Sequence, residues 1–129
     1  MPFDMNAPVI EILPEDYGIW FVDAMDHPEN YEGKTVKFKA RVMKPRGMGS
    51  KFFVPGRTAM TCCADDTTFL GYVCKSAYAP KLTPGEWVEV TAKVGIEKRN
   101  EYQGEEGIVL DAEHVEQCDP LEDEMVYFN

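Results

Sequence analysis

These 129 residues contain no Cys-x-x-Cys pair, so zinc ribbons, zinc fingers and thioredoxin-type redox pairs find no support. Four cysteines are present, but Cys62 and Cys63 are neighbours while Cys74 and Cys118 are scattered, which is no disulfide framework. Apolar runs never approach the roughly 18 residues that a membrane-crossing helix requires. The opening Met1-Pro2-Phe3-Asp4 lacks the basic region and apolar core of a secretion signal. The chain is therefore expected to be soluble and unexported. Ser-His-Asp arrangements, phosphate-binding glycine loops and acid–base pairs at a recognisable spacing are also missing. Enzymatic activity is not expected.

Acidic residues are missing from one long stretch. The net charge is −10, yet residues 33–64 hold eight basic side chains and not one acid, so the remainder carries −18. Lys34, Lys37, Lys39, Arg41, Lys44, Arg46, Lys51 and Arg57 make up this strip. Charge of this kind is usually a solvated face balanced elsewhere in the same fold; its functional counterpart is a surface turned to an anion or a partner. Overall acidity opposes nucleic acid at long range.

What is present reads as one domain, long enough to bury its own core without a disulfide or metal. Residues 1–13 form a leader, and residues 14–129 a single domain. In the leader, Ile10, Ile12 and Leu13 make a short strand or simply dock. Pro14-Glu15-Asp16 opens a helix, since proline suits the first turn and acids suit its positive end. Tyr17, Trp20, Phe21, Ala24 and Met25 recur at helical spacing, and Asp26-His27-Pro28 stops the helix. From Val36 to Val42 the period becomes two, the signature of a half-buried strand. Further strands are expected over 52–61, interrupted by Pro55-Gly56, then over 67–75, 87–94 and from Ile108 toward Val115, with a turn at 100–104. Five strands, regular turns, one short N-terminal helix and no βαβ rhythm predict an all-β fold, a five-stranded OB-fold-like barrel. The phrase Leu82 to Val90 looks like the entry to its fourth strand.

The densest chemistry lies in Arg57-Thr58-Ala59-Met60-Thr61-Cys62-Cys63-Ala64-Asp65-Asp66. In an extended strand Cys62 and Cys63 point to opposite faces and cannot share an ion. A bulge or a turn at Asp65-Asp66 would let Cys63 and one aspartate converge. A closed tetrahedral site still needs two more ligands, and His27, His114, Cys74 and Cys118 are the soft candidates. Metal binding, a thiol redox role and simple packing all stay open here. His27 reads as a capping or surface residue, His114 as an outer-face residue, and Trp20 and Trp87 as core. Phe52-Phe53 either closes the barrel or forms a stacking platform for a single strand.

Three segments in order, Asn30 to Val36, Arg57 to Asp66 and Gly85 to Val90, resemble the C-terminal domain of the YcgQ-like (DUF1980) family. The ending from Asp119-Pro120 to Val126-Tyr127-Phe128 is similar to that family's terminal signature. The resemblance implies a subunit of a bacterial two-component membrane permease complex, with a membrane permease subunit as partner. It also carries over Cys62, Cys63 and Asp65 as the metal-site positions. Thiolate plus carboxylate suits zinc or another transition metal, and an incomplete ligand set suits a transient site. The expectation is a non-enzymatic soluble accessory domain, cytoplasmic or held to a membrane through its partner. Two alternatives stand beside it: a single-stranded nucleic-acid-binding OB module, and a thiol redox switch at Cys62-Cys63.

Overall fold

Alternation between apolar and basic side chains makes β2 (Thr35–Met43), following a two-residue strand β1 (Ile10–Glu11). Val36, Phe38, Ala40 and Val42 turn inward and are essentially buried, while the side chains between them face outward. The computed structural model describes residues 1–60 and 66–127. Within them lie β3 (Phe52–Met60), β4 (Thr67–Gly71), β5 (Val73–Lys75), β6 (Trp87–Lys98), β7 (Glu106–Gln117) and β8 (Met125–Tyr127). One α-helix, α1 (Tyr17–Asp26), precedes β2.

The strands close on themselves. β2 pairs antiparallel with both β3 and β6, β6 with β7, and β3 with β5. The ring is completed by a parallel contact between β5 and β7, Val73↔Val109 to Lys75↔Asp111. This is a closed five-stranded OB-type barrel, as the turn rhythm predicted. Three short strands lie outside the ring: β1 runs parallel to β2, β8 runs parallel to β3, and β4 runs antiparallel to β3. The third expected strand is divided at Tyr72 into β4 and β5, both of which pair with β3.

Pro55-Gly56 does not interrupt β3, contrary to expectation. The strand passes through this dipeptide at the step where its partner changes from β5 to β4. Gly56 lies opposite Gly71, and a Cβ on Gly56 would sit 2.5 Å from the Leu70 carbonyl. Absence of side chains is what lets the two backbones approach there. The alternation in β7 is broken by a bulge: Thr91 pairs with His114 but Ala92 with Ala112, leaving Glu113 as the extra residue. That slip is why His114 interrupts the apolar pattern, and it leaves the ring exposed beside Glu116.

Helix α1 seals one end of the barrel. Tyr17, Trp20, Phe21 and Ala24 are buried, and their rings form a cluster with Phe38 and Tyr72 at centroid separations of 4.6 to 6.2 Å. Each such pair adds about 0.5–1.5 kcal/mol beyond its buried area. The Tyr17 hydroxyl donates to the Leu70 carbonyl and the Tyr72 hydroxyl to the Phe21 carbonyl, tying helix and strands together. Phe3, Ile10 and Ile12 join the same core, so the first segment packs on the barrel. Trp20 and Trp87 are core, as expected, and His27 is exposed beside Glu29.

Candidate binding surface

Met25 was expected on the buried face of α1 and is instead 57% exposed. Helical geometry explains this. Ala24 completes the inward face, and Met25 lies about 100° further around, in one row with Val22 and Ile19 at three-residue spacing. Ile19 and Val22 are exposed too, at 51% and 44%. The outer face of α1 is thus a stripe of three large apolar side chains with water on it.

At the start of that helix the stripe runs into a cavity of about 640 Å³. Ile19, Leu121 and Met125 form much of its apolar wall, and Arg57 lies in its lining. Two sequence segments meet here. Thr58, Ala59 and Met60 of β3 pair with Met125, Val126 and Tyr127 of β8, so the arginine-to-aspartate motif and the terminal signature are adjacent in space. Sequence reasoning named both segments without any signal that they would touch.

Arg57 is only 2% exposed. One guanidinium nitrogen, Nη1, donates to the Pro14 carbonyl at 2.8 Å, and the group lies 5.5 Å from the centre of the Tyr17 ring. Its Nε is buried and has no hydrogen-bond partner among the described residues. Burial pulls this guanidinium below its ordinary value, opposed by Tyr17 and by the nearby carboxylate of Asp123. Guanidinium groups stay charged through such shifts. The sequence reading counted Arg57 as one of eight surface bases, and its two-residue spacing from Phe53, Pro55 and Ala59, all buried in β3, was the available hint.

Three of the other seven bases have partners. Lys34 Nζ donates to the Met5 carbonyl, Lys37 pairs with Glu89 at 3.6 Å, and Arg41 Nε donates to the Gly85 carbonyl. Phe53 is fully buried and closes the barrel. Phe52 is half-buried, with the Arg99 guanidinium 4.2 Å above its ring centre.

Cys62, Cys63 and Asp65 lie outside the described residues. Of the other soft ligands considered, Cys74 is fully buried, and burial, reinforced by Asp111, pushes its thiol well up and away from the thiolate a metal needs. Cys118 is half-buried at the end of β7, where burial again raises its thiol. No group of three or more His, Cys, Asp or Glu suited to a metal ion occurs among the described residues. No helix among them is long and apolar enough to cross a membrane.

Comparison with protein families matches residues 2–128 to the DUF1980 C-terminal domain. Comparison with curated proteins finds no match. Among solved structures, the mitochondrial single-stranded DNA binding protein Rim1 of S. cerevisiae is similar at 10% identity and a TM-score of 0.38, covering 68% of this chain and 97% of that one. Aspartyl tRNA synthetase from Entamoeba histolytica is similar over 80% of this chain and 21% of its own, at 16% identity and a TM-score of 0.43. A deletion mutant of the single-stranded DNA binding protein from Thermus aquaticus is similar over 69% and 42%, at 16% identity and a TM-score of 0.37. What those proteins bind is a property of theirs; the barrel assignment stands on the strand order above.

Proposed function

The chain belongs to the DUF1980 C-terminal domain family, and from that membership we propose that it is a non-enzymatic accessory domain of a bacterial membrane permease system, docking to the permease subunit through α1. The observation that carries this reading is the row of Ile19, Val22 and Met25 on the outer face of the helix. Single exposed apolar residues are ordinary, but a contiguous row on one element marks an interaction surface. An amphipathic helix offering residues at three-residue spacing suits an apolar groove in a partner.

A metal ion is the second element of the proposal. Cys62, Cys63 and Asp65 would hold zinc or another transition metal transiently, with thiolate and carboxylate as donors. The motif that contains them begins with the β3 residues Thr58, Ala59 and Met60, which pair with β8.

Two measurements test this. Purified wild-type domain should retain an integral membrane protein from detergent-solubilised membranes of its own host. A Val22→Lys, Met25→Lys variant should fold normally and lose it. Equal retention by both, or by neither, would sink the docking role. For the metal, elemental mass spectrometry of untagged, reduced protein after zinc loading should find stoichiometric metal, lost in Cys62→Ser and Cys63→Ser. No metal in the loaded wild type removes that element and returns the two thiols to redox or packing roles.

A further inference from the structure

We infer that the partner of α1 is a basic, amphipathic segment of the permease subunit, recognised by charge as well as by apolar contact. The inference rests on the docking role proposed above and adds the chemistry of what docks. Its first observation is a charge asymmetry in the chain. Residues 1–33 hold eight carboxylates and not one lysine or arginine, the reverse of the basic strip that follows.

The helix sets part of this charge against its apolar row. Asp23 stands four residues after Ile19, and Asp26 four after Val22, so both are neighbours of the row on the helix surface. Asp26 is exposed; Asp23 is half-buried, and one of its oxygens accepts from the Tyr31 hydroxyl at 2.7 Å. At the start of the helix the exposed Glu15 lines the same cavity as Ile19. None of these three carboxylates is in an ion pair among the described residues. Lys34 donates to the Met5 carbonyl, and Arg57 is buried. The fold therefore leaves this charge for a partner to answer.

Three occupants of the row can be compared on that basis. An anionic lipid surface would cover the apolar side chains but repel the carboxylates beside them. A second copy, α1 against α1, would set like charges together at the contact. A segment with apolar side chains spaced between lysines or arginines meets both rows at once. Membrane proteins concentrate such bases in the short cytoplasmic stretches that flank their spans. A juxtamembrane segment of that composition is the partner that fits.

Fluorescence anisotropy with two labelled peptides tests this: the heptad Leu-Lys-Lys-Leu-Leu-Lys-Leu written twice, and the same peptide with glutamate in place of lysine. Wild type should bind the lysine peptide about tenfold or more tightly in about 0.1 M salt. The preference should shrink toward about 1 M, as the screening length falls from about 10 to about 3 Å. Val22→Lys, Met25→Lys should abolish binding of the lysine peptide. Asp23→Asn, Asp26→Asn should weaken it several-fold, and an equal charge change at the loop end, Glu105→Gln, Glu106→Gln, should leave it unchanged. Equal binding of the two peptides, or equal weakening by the two neutralised variants, would overturn the basic partner. So would binding to phosphatidylcholine vesicles containing phosphatidylserine as tight as to the lysine peptide, which would make lipid the occupant. Capture from solubilised membranes separates this inference from the docking role. A membrane protein retained equally by wild type and by Asp23→Asn, Asp26→Asn overturns the inference and leaves docking in place; no retained protein overturns both.

Discussion

Arg57 and Arg99 are two arginines packed on aromatic rings at two stations along β3, and they are used in opposite ways. Arg99 stacks on Phe52, the first residue of the strand, and donates to Glu101 at 2.7 Å and 3.4 Å. Its charge is answered by a carboxylate two residues away. The shallow cleft of about 330 Å³ beside it, lined by Met48, Asn100 and Glu101 among others, is therefore bordered by an ion pair that already satisfies itself. Arg57, five residues further along the strand, is buried, and its equally buried Nε has no hydrogen-bond partner among the described residues. Loop ends are where OB barrels commonly take oligonucleotides and oligosaccharides. In this chain the incompletely satisfied base lies instead at the α1 end. The difference teaches that a base's place in a sequence strip says little; what matters is whether the fold has already given it a partner.

The two ends should also answer pH from opposite sides, and the alkaline response is the larger. Burial raises the hydroxyls of Tyr17 and Tyr72 far above the ordinary phenol value of 10.0, and Tyr31 likewise, with Asp23 adding to the effect. The Cys74 thiol is raised above its ordinary 9.0 for the same reason. A group whose pKa is raised in the folded state contributes stability that is complete below its unfolded value and is lost as pH climbs above it. The loss should therefore begin near pH 9 and steepen above 10. Each group ionising only in the unfolded chain removes about 1.4 kcal/mol per pH unit. Urea unfolding at pH 8, 9.5 and 11 checks this, and Tyr72→Phe should flatten the limb at the expense of the hydrogen bond to Phe21. A stability that is level up to pH 11 would mean that these groups are not as sequestered as the cluster implies.

Truncation of the two arginines sharpens the same contrast at neutral pH. Arg57→Ala removes a charged hydrogen bond to the Pro14 carbonyl, a stacking contact on Tyr17 and buried volume, and should cost about 2–4 kcal/mol. Arg57→Met keeps most of the volume and should cost about 1–2 kcal/mol, since it loses the Pro14 bond and the charge over Tyr17 but also relieves the burial of a guanidinium. Denaturant midpoints at constant m-value would check both. An Arg57→Met variant more stable than wild type would show that burying the guanidinium costs the fold more than its contacts return.

Much of the barrel was legible because period-two alternation in β2 and β6 is a direct record of which face is buried. The closure was not, since pairing of β5 with β7 is a contact between distant segments that no local pattern announces. Met25 misled because a helical row is read from spacing, and an apolar stripe on the wet side has the same spacing as one on the dry side. Arg57 was invisible as a site for a related reason. Its neighbours in sequence are proline, glycine and small residues, and only the docking of β8 and α1 around it turns a strand position into a cavity wall. Cys62, Cys63 and Asp65 were the chemically loudest residues, and their role rests on metal measurements.

The smallest expected effect lies at the loop end and appears in acid. The Glu101 carboxyl is held below the usual carboxylate range by its hydrogen bond from Arg99. A depressed carboxyl contributes stability that is present above its unfolded value and lost as pH falls below it. The window therefore opens below about pH 4.5, far from the alkaline limb of the α1 end. Both side chains are partly solvated, so the pair is expected to contribute less than about 1 kcal/mol and to weaken further in salt. Arg99→Ala should lower stability by that amount at pH 7 and by less at pH 3.5. The gap should shrink at high ionic strength, when wild type and variant are unfolded side by side. A loss above 2 kcal/mol at pH 7 would show that Arg99 holds the loop end as firmly as Arg57 holds the other, and the contrast between the two ends would fail.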